Sequence, residues 1–267
     1  MKKNGTGLKL FTVAILSLLI LSFCGKKKTL LYPPGSSAKQ IYEIGLKLLK
    51  KKKYDKARLV FSALIEKYPK SKYAPRAKIG IADAFFKKGD IASLTLAYNE
   101  YREFVSVYPY HPKAAYAQLM MGMCYYRQMR KPGRDQTPTL EAIREFKKVI
   151  KKYPDSEEAT IARKRLKECE ERYATHLLGI ANFYFKVKKW LGAYWRYDEI
   201  MKKFPNFSRI SEVYYKYGVS AYMLGKTDEG RAFLSKVITD FPHSKWAFKA
   251  RKFLKSEEKK KTKRRKK

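Results

Sequence analysis

Five segments of the chain share one pattern of small, bulky and proline positions. In AIREFKKVIKKYPDS, the small Ala142 is followed four residues later by Phe146, and Pro154 comes eight residues after that. Residues four apart lie on one helix face, so the small residue permits close helix approach and the aromatic side chain fills the space beside it. Because proline disfavours α geometry in the preceding residue, the pattern predicts a helix that ends at the aromatic residue before proline.

The spacing is constant in all five segments, which indicates a repeat of paired helices rather than chance. Serines follow three of the prolines, and we expect Ser71, Ser156 and Ser244 to cap the next helix. The small, bulky and proline positions are Ala57/Phe61/Pro69, Ala97/Tyr101/Pro109, Ala142/Phe146/Pro154, Ala193/Tyr197/Pro205 and Gly230/Leu234/Pro242. The predicted fold class is therefore all-α, an α-solenoid of about five helix hairpins.

One stretch between the third and fourth hairpins lacks the usual interruption. Residues 157–186 show helical periodicity without proline or a turn cluster, and the single Gly179 is tolerable inside a helix. The stretch predicts one long helix, or two nearly continuous ones, acting as a spine between two groups of hairpins.

The N-terminal residues have the pattern of an export signal. Lysines at the start precede an uncharged run over residues 10–25, which is shorter than the roughly 20 apolar residues that span a bilayer. The run ends in Leu21-Ser22-Phe23-Cys24, which resembles a bacterial lipobox except for the bulky Phe23. We expect a signal peptide over 1–23 and lipid attachment at Cys24; a cleaved secretory signal or an uncleaved anchor with an incidental cysteine is the alternative.

Two polar segments flank the predicted repeats. Residues 24–37 contain lysine, proline, glycine and serine, and predict a flexible tether that does not pack. Residues 255–267 form a charge block without an apolar side chain, so a disordered basic tail is expected after a repeat domain over 38–254.

The chain is strongly basic, with 61 Lys and Arg against 24 Asp and Glu and a formal net charge of +37. Such a field attracts anionic lipid, nucleic acid or an acidic protein face without selecting among them. No metal or cofactor site is predicted, because His111, His176 and His243 lack ligand spacing. Three cysteines give no disulfide framework, and without a nucleophile–base pair an enzyme is not predicted.

The repeat positions resemble the tetratricopeptide family. Its signature has a further small residue in the first helix of each unit, at Gly45, Ala82, Gly122, Ala181 and Gly218. The lipobox, five repeats, YPYHP, RDQTPTLEAIREF and the long helix leading into HLLGIANFYFKVKKWLGA together resemble the BamD family, the lipoprotein subunits of the bacterial outer-membrane β-barrel assembly machinery.

That resemblance implies a scaffold on the periplasmic side of the outer membrane, held there by a lipid anchor. It implies partnership with the barrel-forming assembly subunit, with accessory lipoproteins and with unfolded outer-membrane proteins. Arg196 matches an arginine that contacts the barrel-forming subunit in this family; a solvated helix arginine is the alternative interpretation.

A second surface follows from the geometry of this fold, in which the first helix of each unit lines the concave side. The predicted groove positions in the first two units are Tyr42, Leu46, Arg76, Ile79, Asp83 and Phe86. Aromatic, apolar and basic groups suit an extended peptide with an aromatic side chain and a free carboxylate. Alternatively, several of these residues pack between helices.

Two other functions would fit part of the sequence. A periplasmic repeat lipoprotein that coordinates envelope or division processes, similar to the Tol–Pal-associated type, usually has an N-terminal coiled coil, and the residues between Cys24 and Ala38 leave no room for one. Nucleic-acid binding would suit the charge, but an export signal removes the chain from the cytoplasm, so no nucleic-acid partner is predicted.

Overall fold

The computed structural model describes residues 31–265, and these form eleven α-helices without a β-strand. The helices are α1 (Ala38–Lys50), α2 (Tyr54–Lys67), α3 (Ala74–Lys88), α4 (Ile91–Val107), α5 (Ala114–Tyr126), α6 (Thr137–Lys152), α7 (Glu157–Lys186), α8 (Trp190–Lys203), α9 (Ile210–Met223), α10 (Thr227–Asp240) and α11 (Lys245–Arg265). The all-α prediction is confirmed.

The helices stack as five consecutive hairpins, α1/α2, α3/α4, α5/α6, α7/α8 and α9/α10, and α11 covers the last one. Each helix packs on the next. The odd-numbered helices also meet one another: α1 with α3, α5 with α7, α7 with α9 and α9 with α11, and α3 with α5 through the hydrogen bond from Tyr116 to Asp83. This row of odd-numbered helices forms the inner side of a solenoid, because its members lie closer together than the helices of the other row.

Each hairpin has its own hydrophobic cluster instead of sharing one central core. The bulky residue of the sequence pattern is completely buried in every case: Phe61, Tyr101, Phe146, Tyr197 and Leu234. Contacts are therefore made mainly between neighbours along the chain, as in other repeat proteins.

The small positions act as the sequence pattern predicts. A Cβ atom on Gly45 would lie 2.3 Å from a Phe61 ring carbon, and a Cβ on Gly80 would lie 2.5 Å from another atom of the same ring. The Phe61 ring therefore fits between α1 and α3 because both helices expose bare backbone to it. In the fifth hairpin, a Cβ on Gly230 would lie 2.7 Å from the carbonyl oxygen of Gly218, so the two backbones touch there.

The predicted helix ends are also observed. The second helix of each hairpin has its C-cap at the aromatic residue before proline: Tyr68, Tyr108, Tyr153, Phe204 and Phe241. The side chains of Ser156 and Ser244 accept hydrogen bonds from the backbone three residues later, each at 3.1 Å. Ser71 differs, because it accepts from Tyr73 N within a turn before α3 begins.

α7 is a single helix of 30 residues, Glu157–Lys186. Its first part packs on α5 and α6, and its second part packs on α8 and α9. It therefore joins the first three hairpins to the last two without a loop.

Both polar flanks differ from the expectation. Residues 31–37 pack, since Leu31 and Tyr32 contact the first hairpin and the Tyr68 hydroxyl donates to the Ser36 carbonyl at 2.9 Å. α11 continues to Arg265, beyond the expected start of disorder at residue 255. The extension contains neither proline nor glycine and is rich in lysine, arginine and glutamate, which favour helix. Cys24 and the expected signal lie outside the described residues.

Candidate partner-binding surfaces

Tyr42 from α1 and two residues at the start of α3 form an aromatic and basic patch on the inner side. The Tyr42 and Tyr73 ring centroids are 5.5 Å apart, and the Arg76 guanidinium carbon lies 6.0 Å from the Tyr73 centroid. Arg76 is exposed, and among residues 31–265 it forms no ion pair. Its charge is therefore available to an anion that lies over the two tyrosine rings.

Asp83 lies deeper on the same side, between α3, α4 and α5. Its Oδ1 accepts hydrogen bonds from the hydroxyls of Tyr101, at 2.5 Å, and Tyr116, at 2.9 Å. Burial raises the pKa of Asp83, and the two hydrogen bonds offset this effect only in part. Asp83 thus sits in a half-buried site whose hydrogen-bond donors are neutral hydroxyl groups.

The other three predicted groove residues differ in how far their side chains are exposed. Leu46 is exposed on α1. Ile79 is only 7% exposed and packs in the second hydrophobic cluster, so its place in the groove was predicted wrongly. Phe86 is half-buried, and the Arg127 guanidinium carbon lies 4.9 Å above its ring, so one face of Phe86 is covered.

A second polar network occupies the equivalent place in the fourth hairpin. Asn182 follows the small Ala181 just as Asp83 follows Ala82, and its Oδ1 accepts from the Tyr197 hydroxyl at 2.8 Å and from Lys216 Nζ at 2.8 Å. Glu212 on α9 then accepts from Lys216 at 2.7 Å.

A sequence signal could have revealed both networks. Where the residue after the first small position is polar, as at Asp83 and Asn182, the bulky residue is tyrosine. In the other three hairpins that residue is apolar, and the bulky residue has no hydroxyl. Those pairs are Leu46 with Phe61, Met123 with Phe146, and Val219 with Leu234. A hydroxyl thus occurs only where an acceptor faces it, as burial of polar groups requires.

Arg196 lies on the exposed side of α8. Its Nη1 is 3.1 Å from Glu199 Oε2, and Lys203 Nζ is 2.7 Å from Glu199 Oε1. The hydrogen bonds from Lys203 and then Arg196 lower the pKa of Glu199 despite its partial burial. Exposed pairs of this kind are worth little in stability, so Arg196 contributes little to holding the fold.

Two large apolar side chains are exposed on the same helix as Arg196. Trp195 is 58% exposed and Leu191, one turn earlier on α8, is 56% exposed. Exposed tryptophan and arginine side chains are typical of the few residues that dominate binding at protein interfaces. Sequence analysis identified Arg196 but missed both apolar neighbours.

The described cysteines are buried and unpaired. Cys124 lies in the second hydrophobic cluster and Cys169 in the third, where its Sγ is 3.6 Å from Met129 Sδ. Burial raises the pKa of each thiol to about 12, so both stay neutral. Between residues 31 and 265, no helix has the length and apolarity that a bilayer crossing requires.

The stacked hairpins, with small residues under bulky ones and a proline stop after each, define a tetratricopeptide-type repeat protein. The chain belongs to the YfiO family, described as an outer membrane lipoprotein, whose profile matches residues 34–232.

Curated relatives named outer membrane protein assembly factor BamD are similar over much of the chain. The protein of Rickettsia prowazekii is 27% identical and the alignment covers 89% of this chain and 93% of the relative. The protein of Caulobacter vibrioides is 26% identical, with 83% and 71% covered. The protein of Vibrio cholerae is 30% identical, with 54% and 63% covered.

Solved structures of similar fold include two repeat proteins. The TPR2AB-domain:pHSP90-complex of yeast Sti1 has a TM-score of 0.43 and 18% identity, with 82% of this chain and 84% of that chain covered. A tetratricopeptide repeat protein from Parabacteroides merdae has a TM-score of 0.35 and 14% identity, with 80% and 70% covered.

Proposed function

We propose that this chain is a scaffold lipoprotein of the outer-membrane β-barrel assembly machinery. It is held on the periplasmic side of the outer membrane by lipid at Cys24, and it binds the barrel-forming subunit, accessory lipoproteins and unfolded outer-membrane proteins. The family membership and the assembly-factor names of the relatives support this proposal. The fold also suits it, since a solenoid offers long surfaces to other proteins.

The observation that carries the proposal is the surface of α8. Arg196, Trp195 and Leu191 are exposed together on a helix whose other face is buried, and none of them is needed for the hydrophobic cluster beneath. A large apolar area beside a cation fits a partner surface that offers an apolar pocket next to a carboxylate. We assign this surface to the barrel-forming subunit.

Crosslinking in intact envelopes tests the assignment. A photoreactive residue at Leu191 is expected to crosslink to a large outer-membrane barrel protein, identified by mass spectrometry. Arg196→Glu should lower the yield at least about tenfold, because losing a desolvated ion pair costs more than the 1.4 kcal/mol that a tenfold change represents.

Lys236→Glu is the matched control, since Lys236 is exposed on α10, outside the α8 surface, and also pairs within its own helix, with Asp240 at 2.8 Å. The control should crosslink like the unaltered chain. Equal losses in both variants, or no barrel protein among the crosslinked products, would refute the assignment.

We further propose that the inner patch of α1 and α3 receives the C-terminal segment of unfolded outer-membrane proteins. Tyr42, Tyr73 and Leu46 offer aromatic and apolar surface, and the guanidinium of Arg76 offers a partner for a terminal carboxylate. Burial raises the pKa of Tyr42, so its hydroxyl remains a neutral donor.

Fluorescence anisotropy with a labelled peptide ending in phenylalanine tests this patch. The free acid should bind more tightly than the C-terminal amide, and Arg76→Ala should remove the difference. Arg102→Ala is the matched control, because Arg102 is exposed and lies 5.7 Å from the Tyr98 ring on α4, outside the patch. Equal affinity of acid and amide for the unaltered chain would contradict the proposal.

A further inference from the structure

α11 has two distinct sides. Ala247 and Ala250 are buried against the fifth hairpin, and Phe253 and Leu254 pack beside them. The opposite side is exposed and carries lysines together with Phe248, which is 67% exposed. The helix is therefore attached along one side, and its free side combines positive charge with an aromatic ring.

The charge of α11 is nearly all of one sign. Residues 245–265 contain eleven Lys or Arg and two Glu. Over 21 residues the helix extends about 30 Å, so the positive charge forms a long rod rather than a point. Eight of the eleven are lysine, a flexible point charge, whereas recognition of one fixed carboxylate would favour the planar guanidinium of arginine.

Three lysines surround one aromatic ring at the start of this helix. The ammonium groups of Lys216, Lys245 and Lys249 lie 5.1, 5.1 and 4.6 Å from the Trp246 ring centroid. Lys245, Lys249 and Lys252 continue along a groove next to Phe248. Among the described residues, none of these lysines of α11 has an acidic partner, so their charge is uncompensated.

We propose that the free side of α11 binds the surface of an anionic phospholipid bilayer. Lysines attract the headgroup phosphates, and Phe248 enters the boundary between headgroups and acyl chains, as in interfacial basic helices. This proposal rests on the membrane location proposed above, but on neither the α8 surface nor the inner patch. Many flexible lysine charges along one helix can each find a phosphate in a fluid bilayer, whereas a single protein face offers carboxylates at fixed positions.

Hydrogen exchange of the full chain in reconstituted vesicles tests this inference. Peptides from α11 should exchange about tenfold more slowly in phosphatidylcholine vesicles with about one third phosphatidylglycerol than in phosphatidylcholine alone. The protection should vanish in about 1 M NaCl, where the Debye length is about 3 Å. Peptides from α10 should not change in either case.

Charge reversal at Lys245, Lys249 and Lys252 should abolish the protection. Reversal at Lys147, Lys151 and Lys152, which are exposed on α6, is the control of equal charge change and should leave it intact. Far-UV circular dichroism of both variants verifies that the helices are formed. If the α11 variant loses helix, the single change Phe248→Ser, at an exposed position, should still lower the protection.

Two outcomes would overturn the proposal. Equal exchange of α11 in both kinds of vesicle would show that anionic lipid is not recognised. Protection by a soluble oligonucleotide of equal charge concentration, without protection by the anionic vesicles, would assign this side of α11 to a different polyanion. Because no barrel protein or peptide is present, the result is independent of the crosslinking and anisotropy experiments.

Discussion

The junction between the second and third hairpins and the junction between the fourth and fifth each hold an acidic side chain, but the two acids have different hydrogen-bond donors. In the second hairpin, the acid is Asp83, and its donors are the hydroxyls of Tyr101 and Tyr116. In the fifth hairpin, the acid is Glu212. It occupies the position that Tyr116 has in the third hairpin, because each lies six residues before the small residue of its helix, Gly218 or Gly122. Its donors are cations: Arg209 Nη2 at 2.7 Å and Lys216 Nζ at 2.7 Å.

The consequence is an opposite shift of pKa. Burial raises the pKa of Asp83, whereas for Glu212 burial is outweighed by the hydrogen bonds from Lys216 and Arg209, which lower its pKa. The charge of Glu212 is thus neutralised by cations of its own helix, and its role is to stabilise the fold. Among residues 31–265, Asp83 at the N-terminal junction has no ion-pair partner, and it lies next to the patch proposed to bind peptide.

Removing each acid should separate these two roles most clearly. Glu212→Ala leaves Lys216, whose side chain is 15% exposed, without its carboxylate. We expect a loss of about 3–5 kcal/mol in the free energy of unfolding, because an unpaired buried charge remains. Asp83→Ala leaves neutral hydroxyls without an acceptor and should cost about 1–3 kcal/mol. Urea denaturation followed by circular dichroism measures both.

The ordering is the decisive result. Glu212→Gln keeps the shape of the side chain and should still be strongly destabilising, since the cations lose their counter-charge. If Asp83→Ala proves as costly as Glu212→Ala, the contrast between a neutral and an ionic junction is incorrect.

The two tyrosine hydroxyls give a smaller, matched pair of changes. Tyr101→Phe removes a hydrogen bond to a carboxylate, and we expect a cost of about 1.5–3 kcal/mol. Tyr197→Phe removes one to the amide of Asn182, which Lys216 also reaches, and should cost about 0.5–1.5 kcal/mol. Thermal and urea denaturation of both variants measure the difference. A reversed order would contradict the assignment of the stronger hydrogen bond to the acid Asp83.

The pH dependence of stability should also differ between the junctions. Because the pKa of Asp83 is raised, the folded state binds its proton more tightly than the unfolded state, so this group lowers stability as pH rises above about 3.8. Glu212 acts oppositely: its contribution is present above about pH 4.5 and is lost as pH falls below that value.

Asp83→Asn therefore tests the sign. As pH rises from 3.5 to 7, the stability of this variant should increase relative to that of the unaltered chain. These two pH values bracket the usual carboxyl pKa of roughly 3.9. Glu212→Gln should instead lose stability over the same range. Urea midpoints at the two pH values provide the measurement, and parallel behaviour of the two variants would contradict the assigned shifts.

Sequence reasoning predicted the hairpins because their signals are local. Small, bulky and proline positions act within one helix turn or at one helix end, as the Phe61 ring between Gly45 and Gly80 shows. The groove was predicted only in part, because exposure depends on neighbouring helices. Ile79 is covered by the second hydrophobic cluster. Phe86 is covered by Arg127, the first residue of the loop between α5 and α6, which is longer than the loops inside the other hairpins.

The turns inside the hairpins are similar in the two regions, the first three hairpins and the last two, so the smallest differences are expected there. The first hairpin of each region turns at a lysine with positive φ, Lys52 at 57° and Lys188 at 58°, and the second turns at glycine, Gly89 at 81° and Gly225 at 84°. The left-handed conformation costs a residue with a side chain about 1–2 kcal/mol, and glycine avoids this cost. The more flexible unfolded state of glycine offsets part of the gain.

Lys52→Gly and Lys188→Gly should therefore each stabilise the fold by about 0.5–1 kcal/mol, and by equal amounts. Gly225→Ala should destabilise it by about 1 kcal/mol; a Cβ there meets no atom within 4 Å, so the cost arises from the backbone alone. Urea denaturation gives all three values. The changes in unfolding free energy of the two lysine variants could instead differ by as much as those of Tyr101→Phe and Tyr197→Phe. The first three hairpins and the last two would then differ in general rigidity, and the different donors of Asp83 and Glu212 would no longer explain the contrast.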